Sequence, residues 1–270
     1  MRILEKRPDG LLVIENLHDV GKKKVKRVQV ALEPDLVYPL LRGRDVSRWK
    51  AEPSDYILMV QDPEKRVGYN EAWLKIKLPH TYAYLKQFED ILRERSGYKK
   101  YFDSRRDPFY SIYNVSTYTF ASFKVVWKGL ARGAIGTVIG EIDNKVTKKR
   151  PIIPEHNTMF VPFNKAEEAY YFCSFLNCSI TSLVIQAYIS WFYSTHVLDH
   201  ISIPQYNSQI LIHRQLSQLS QRVHELARRG EEAKTELKMV EEEIDQKAAQ
   251  LWDITDEELN DIKNSLKELS

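Results

Sequence analysis

The segment His196-Val-Leu-Asp-His200 sets two imidazoles four residues apart with a carboxylate beside them, a donor set that suits a metal ion when it lies on one helical face. The chain then runs into Ile201-Ser-Ile-Pro204, which reads as a strand. Extended backbone, at roughly 3.3 Å per residue, would hold the two rings more than about 13 Å apart, so no metal site is expected. Glu141, Asp143 and Lys145 resemble the triad of a metal-dependent nuclease, but such triples are common at polar strand ends and a solvated turn is the simpler expectation. Cys173 and Cys178 sit in an apolar segment and read as core residues rather than nucleophiles. The ten glycines never form the strand-to-helix turn that brings backbone N–H groups up to a phosphate; the densest run, Gly129 to Gly136, has the wrong spacing and leads into a strand. No catalytic residue is expected in this chain.

The cations are better organised. Lys22, Lys23 and Lys24 open a basic cluster that continues through Lys26 and Arg27. Tyr38 to Lys50, YPLLRGRDVSRWK, brings Arg42, Arg44, Arg48, Trp49 and Lys50 into nine positions. Within it, Gly43 allows a close bend and Asp45 can hold a guanidinium fork in a set direction, ready for a phosphate or the acceptor edge of guanine. The alternative is an internal Arg42–Asp45 or Arg44–Asp45 pair that only shapes the turn. Arg105 and Arg106 stand near Tyr110 and Tyr113, while Lys124, Lys128 and Arg132 flank Trp127. Lys148, Lys149 and Arg150 precede His156 and Asn157. The stretch Tyr193-Ser-Thr-His196 offers Tyr193, Ser194 and His196 as polar tips of an aromatic tract. Cations neutralise phosphates, and directed Arg, Asn, His and hydroxyl groups read bases. Lys22, Lys23, Lys24, Arg105, Arg106, Lys128, Lys148, Lys149 and Arg150 are therefore expected to anchor phosphates. Base reading is expected from Arg42, Arg44, Arg132, His156 or the Tyr193–His196 loop, and Arg48, Lys124 and Asn157 are expected to be DNA-binding as well.

These residues need a scaffold. Alternation and turn signals predict strands at 11–17, 25–31 (around a turn at Gly21), 56–61, 109–115, 123–128, 134–140, 158–162 and 201–206, the last stopped by Pro204. An amphipathic helix is predicted from Pro79 to Arg95. A capping box at Asn164-Lys-Ala-Glu167 predicts a helix ending at Asn177, followed by a buried helix over 179–191. From 208 onward a heptad-like seam of Leu216, Leu219, Val223, Leu226, Ala233, Leu237, Val240, Ile244 and Leu251 predicts one long helix or a hairpin folded at Arg229-Gly230. That seam suits either packing on its own domain or a coiled coil with another chain. A last helix opens at the capping box Thr255-Asp-Glu-Glu258. The fold class is α+β: a β-rich mixed domain with flanking helices over 1–207, then a helical region over 208–270.

Composition sets the limits. With 270 residues, 43% of them hydrophobic, the chain can bury a large core. Two cysteines give no disulfide framework, and no apolar run reaches the roughly 20 residues of a membrane span, so a soluble, cytoplasmic protein is expected. A net charge of +3 hides an asymmetry: residues 1–150 carry 30 Lys+Arg against 19 Asp+Glu, and residues 211–270 carry 9 against 14. Only the front portion should attract a polyanion.

Several phrases, in order, resemble one family. YPLLRGRDVSRWK is similar to the phrase that opens the C-terminal specificity domain of TaqI-like DNA adenine methyltransferases. Asp107-Pro-Phe-Tyr110, Lys124-Val-Val-Trp127, His156 to Pro162, Ala169-Tyr-Tyr-Phe with Leu176-Asn-Cys178, Ile201-Ser-Ile-Pro204 and Leu251 to Leu259 follow in the same succession, over roughly residues 36–262. The resemblance implies a target recognition domain that contacts double-stranded DNA and chooses the site of adenine methylation. It also implies a separate catalytic domain or subunit that binds S-adenosylmethionine and carries an Asn/Asp-Pro-Pro-Tyr/Phe motif. Neither that motif nor a cofactor-binding turn occurs here, so no cofactor is expected in this chain. A specificity subunit like those of type I restriction systems, or an interaction subunit docking through the heptad helix, are the alternatives.

Overall fold

The computed structural model describes residues 1–20, 24–128, 135–144, 146–188 and 195–269. The chain divides into two compact units. The first comprises residues 1–40, 54–120 and 141–153; the second comprises 41–53, 121–140 and 154–270. The α+β class is as the sequence predicts, with several small antiparallel sheets and a long helical hairpin near the C-terminus.

In the first unit, Leu12–Glu15 is the central strand of a three-stranded sheet, between Arg2–Lys6 and Gln29–Leu32. Its alternation is what buries it: Leu12, Ile14 and Leu32 have no exposed surface, and Leu74, Leu78, Leu85 and Phe88 belong to the same core. Val37–Leu41 pairs antiparallel with Asp55–Leu58. The helix expected over Pro79 to Arg95 is two, Pro79–Lys86 and Glu89–Arg93, separated where Phe88 N–H turns back to Leu85 C=O. Ile91, expected on the apolar stripe, is 39% exposed.

The segment 109–115 forms no strand. Its backbone groups are taken by side chains instead of a ladder: Ile112 N–H donates to Gln61 Oε1 at 2.8 Å, and the Arg95 guanidinium donates to the carbonyls of Phe109 and Ser111. Phe109 and Tyr110 are still buried. Their apolar character reflects a core loop, which alternation alone does not distinguish from a strand.

In the second unit, Phe123–Lys128 is the middle strand between Gly136–Ile139 and Thr158–Phe163. A small hairpin, Val46–Ser47 with Lys50–Ala51, packs on this sheet. Behind it stand the helices Ala166–Asn177 and Ser179–Tyr188, the hairpin helices Leu211–Arg229 and Lys234–Leu251, and Asp256–Glu268. One core joins them, with Val125, Trp127, Tyr171, Phe175, Leu216, Val223, Val240 and Ile244 buried together. The seam of the hairpin is therefore used within its own unit. The fold occurs at Gly230, whose φ of 72° is open to glycine and costly for other residues.

Three local expectations are corrected. The helix after Phe163 starts at Ala166 with Lys165 as its N-cap and no side-chain cap, so Asn164 does not form the predicted box. Residues 201–206 have no ladder partner: Pro204 lacks a donor and the Ser202 carbonyl accepts the indole N–H of Trp252 at 2.7 Å. Thr195–His200 winds into a 3-10 helix rather than an extended lead into a strand, and His196 Nδ1 stands 3.1 Å from Asp199 on the next turn. The capping box at Thr255 is present, with Glu258 N–H on the threonine hydroxyl and Thr255 N–H on the glutamate.

Candidate nucleic-acid interface

Two tight turns and one strand end of the second unit bring five of the sequence-selected residues together. Arg42 closes a 3-10 turn over Gly43–Asp45: Asp45 N–H donates to the Arg42 carbonyl, and Arg42 N–H donates to Asp45 Oδ2, both at 2.9 Å. The same carboxylate lies 3.7 Å from Arg44 Nε, and the Arg44 side chain is 60% exposed. Asp45 thus both fixes the turn and orients the projecting guanidinium.

The second turn is Glu155–Thr158, closed by Thr158 N–H on the Glu155 carbonyl, with His156 and Asn157 exposed at its centre. It adjoins the first, because Glu155 N–H donates to Leu41 C=O at 2.8 Å and the Glu155 carboxylate stands 3.7 Å from Arg42 Nε. Thr158 lies directly across the sheet from Lys128. Arg42, Arg44, Lys128, His156 and Asn157 therefore share one end of the sheet. Arg42 is mostly covered and serves the geometry, while Arg44, His156 and Asn157 face outward.

Other predicted residues have different fates. Lys124 is 1% exposed and its ammonium donates to the Ala121 carbonyl at 2.7 Å, so it presents no charge to a ligand. Arg48 is engaged within the fold: Nε donates to Glu241 Oε1 at 2.6 Å and Nη2 to the Asn177 carbonyl at 2.7 Å. Lys24, Arg105, Arg106, Lys148, Lys149 and Arg150 belong to the first unit. Of these, Arg106 pairs with Asp103, Lys149 with Glu141, and Arg150 lies over the Tyr38 ring. His196 is exposed beside Asp199. Lys22, Lys23, Arg132, Tyr193 and Ser194 lie outside the described residues, as does Lys145.

Sequence reasoning missed what Arg48 and Trp49 do. Trp49 is 2% exposed and takes a φ of 64°, rare for a non-glycine residue. Its indole N–H donates to Glu241 Oε1 at 2.6 Å and its backbone N–H to Gly136 C=O. Gly136 N–H donates to Asn177 Oδ1 at 2.9 Å, and Asn177 Nδ2 returns a bond to the Gly136 carbonyl at 2.8 Å. A Cβ on Gly136 would come within 2.6 Å of Leu176 Cδ2, so any side chain here would force the buried Leu176 to move. Hairpin, sheet and helices are thus clamped through the phrases SRWK and LNC. The signal available in the sequence was the Arg48-Trp49 pair itself, a large aromatic directly after a cation.

The chain is similar to the type II methyltransferase M.NspV of Nostoc sp. The two are 28% identical over 163 residues, 60% of this chain. The chain spans about a third of that relative, with 32% of its length covered. No family model matches.

Among the described residues there is no group of three or more His, Cys, Asp or Glu arranged to hold a metal ion, and no helix long and apolar enough to cross a membrane. In the dense glycine run the described glycine, Gly136, has its N–H and C=O engaged by Asn177, so it offers no free backbone donor to a phosphate or cofactor. Burial pushes both thiols up, that of Cys178 to about 11, which leaves Cys173 and Cys178 as packing residues.

Proposed function

We propose that this chain reads a DNA sequence for a type II restriction-modification methyltransferase and does not itself transfer the methyl group. The carrying observation is the pair of adjoining turns at one sheet end, which offers Arg44, His156 and Asn157 outward with Lys128 beside them. Such a set combines phosphate anchoring with directed donors for base edges. The similarity to a type II methyltransferase supports the context, and S-adenosylmethionine would be bound by a catalytic domain or partner subunit. The heptad seam gives little support to an interaction subunit, since its apolar residues are buried in their own core.

The test is selection of bound duplexes from a random pool by the whole chain, followed by binding titrations at two salt concentrations. A reader that neutralises about six phosphates loses roughly a thousandfold in affinity between 50 and 200 mM salt. Arg44→Ala should relax preference at one base pair, at a cost of about 1–3 kcal/mol. Recovery of an unenriched pool would overturn the reading.

A further inference from the structure

In the first unit, the rings of Tyr101 and Tyr113 are stacked, with centroids 3.6 Å apart and planes within 8°. They are nevertheless 46% and 49% exposed. The stack borders a recess of about 320 Å³, lined also by Arg66, Phe102, Asn114 and Tyr118. That volume lies at the lower end of the range for ligand sites, roughly 300–1,000 Å³. Two of its lining residues, Arg66 and Asn114, hold φ of 57° and 59°, the left-handed region that non-glycine residues adopt at some cost. Strain of this kind gathers where a side chain must be presented in one direction.

Arg66 is the charged residue among those that line the recess, and Lys100 acts on the stacked phenols. Lys100 Nζ sits 5.1 Å from the Tyr101 ring centre. Neighbouring Lys99 is paired with Glu94 at 2.6 Å, whereas neither Lys100 nor Arg66 has an ion-pair partner among the described residues. Asn114 accepts the Tyr118 hydroxyl at Oδ1, which fixes its amide and leaves the N–H donors for another partner. A flat aromatic surface, two unneutralised cations and a fixed amide donor together describe a partner that is planar, anionic nearby and rich in edge acceptors.

We propose that this recess binds an unpaired nucleobase of a DNA strand. The base stacks on the Tyr101–Tyr113 pair, the adjoining phosphate is met by Arg66 or Lys100, and Asn114 donates to the base edge. The site is distinct from the turns of the second unit and does not depend on how those turns read a duplex.

The test is anisotropy titration of a fluorescein-labelled oligothymidylate with the whole chain at low salt, beside a duplex of the same length. Stacking on one aromatic platform predicts that Tyr113→Ala weakens oligothymidylate binding by about tenfold or more, while Tyr113→Trp retains it. Arg66→Ala should weaken it and reduce its salt dependence. Duplex affinity should stay within about twofold in all three variants. Unchanged oligothymidylate binding in Tyr113→Ala would overturn the proposal, as would an equal loss for strand and duplex. Failure of the duplex reading shows instead as Arg44→Ala without effect on duplex binding, so the two ideas fall separately.

Discussion

His224 should make the second unit acid-sensitive well above the carboxylate range. The ring lies 2% exposed between the sheet and the hairpin helix, with Nδ1–H donating to the Ser220 carbonyl at 2.6 Å and Nε2 accepting the Val138 N–H at 2.9 Å. Only the neutral ring can do both. Protonation would turn Nε2 into a donor facing a donor and bury a charge near Arg228. Burial pushes the pKa down from 6.5 to about 4. The unfolded chain therefore takes up a proton at pH values where the folded one does not, and stability is lost as pH falls from 6.5 towards 4, with no effect above 6.5. At ~1.36 kcal/mol per pH unit, that span comes to about 3 kcal/mol. His213 is buried too, and burial lowers its pKa, which adds a contribution of the same sign. A comparison variant is therefore needed. His224→Gln keeps an acceptor for Val138 N–H without a titrating ring. Urea unfolding of both proteins between pH 7 and 4 should show the wild type losing about 3 kcal/mol more than the variant. A stability difference that stays constant across this range would refute the reasoning.

Other consequences follow from the clamp around Trp49. Asn177→Ala leaves the Gly136 N–H buried without a partner and the Gly136 C=O with only the Trp49 N–H, and should cost about 1–3 kcal/mol in denaturant titrations, with Asn177→Asp little better because its second oxygen faces the Gly136 carbonyl. Glu241→Ala removes the shared acceptor of Arg48 and Trp49 and should cost about 2–3 kcal/mol; a double-mutant cycle with Arg48→Ala should give a coupling of at least ~0.5 kcal/mol. Gly68→Ala would bring a methyl within 2.9 Å of the Tyr110 ring and Ser111 Oγ, and thermal unfolding should report a loss of about 1–3 kcal/mol.

The sequence made some elements plain and hid others for identifiable reasons. Strand 123–128 and the hairpin fold at Gly230 were legible because burial there follows period and turn chemistry, as Val125, Trp127, Val223 and Val240 illustrate. Segment 109–115 looked the same but satisfies its backbone through Gln61 and Arg95, partners some 50 residues upstream and 14 to 16 residues upstream respectively. Such long-range satisfaction leaves no periodic trace. Arg44, His156 and Asn157 were selected by type, and the Leu41–Glu155 bond that brings their turns together was not visible. Lys124 shows the opposite limit: a lysine beside tryptophan reads as a contact residue until its neighbour carbonyl takes the ammonium inward. The phrases most suggestive of a family, SRWK and LNC, turned out to hold the scaffold together rather than to face outward.

The clamp also bears on how the protein is made. Arg48 and Trp49 meet Glu241 across 193 and 192 residues of chain. A ribosome adding about 5–20 residues per second needs on the order of 10–40 seconds to cover that distance. During that interval the hairpin has emerged with its indole uncovered and its anchoring carboxylate not yet synthesised. Aggregation of nascent chains stalled before residue 241 is the expected consequence of a clamp whose two sides are made so far apart.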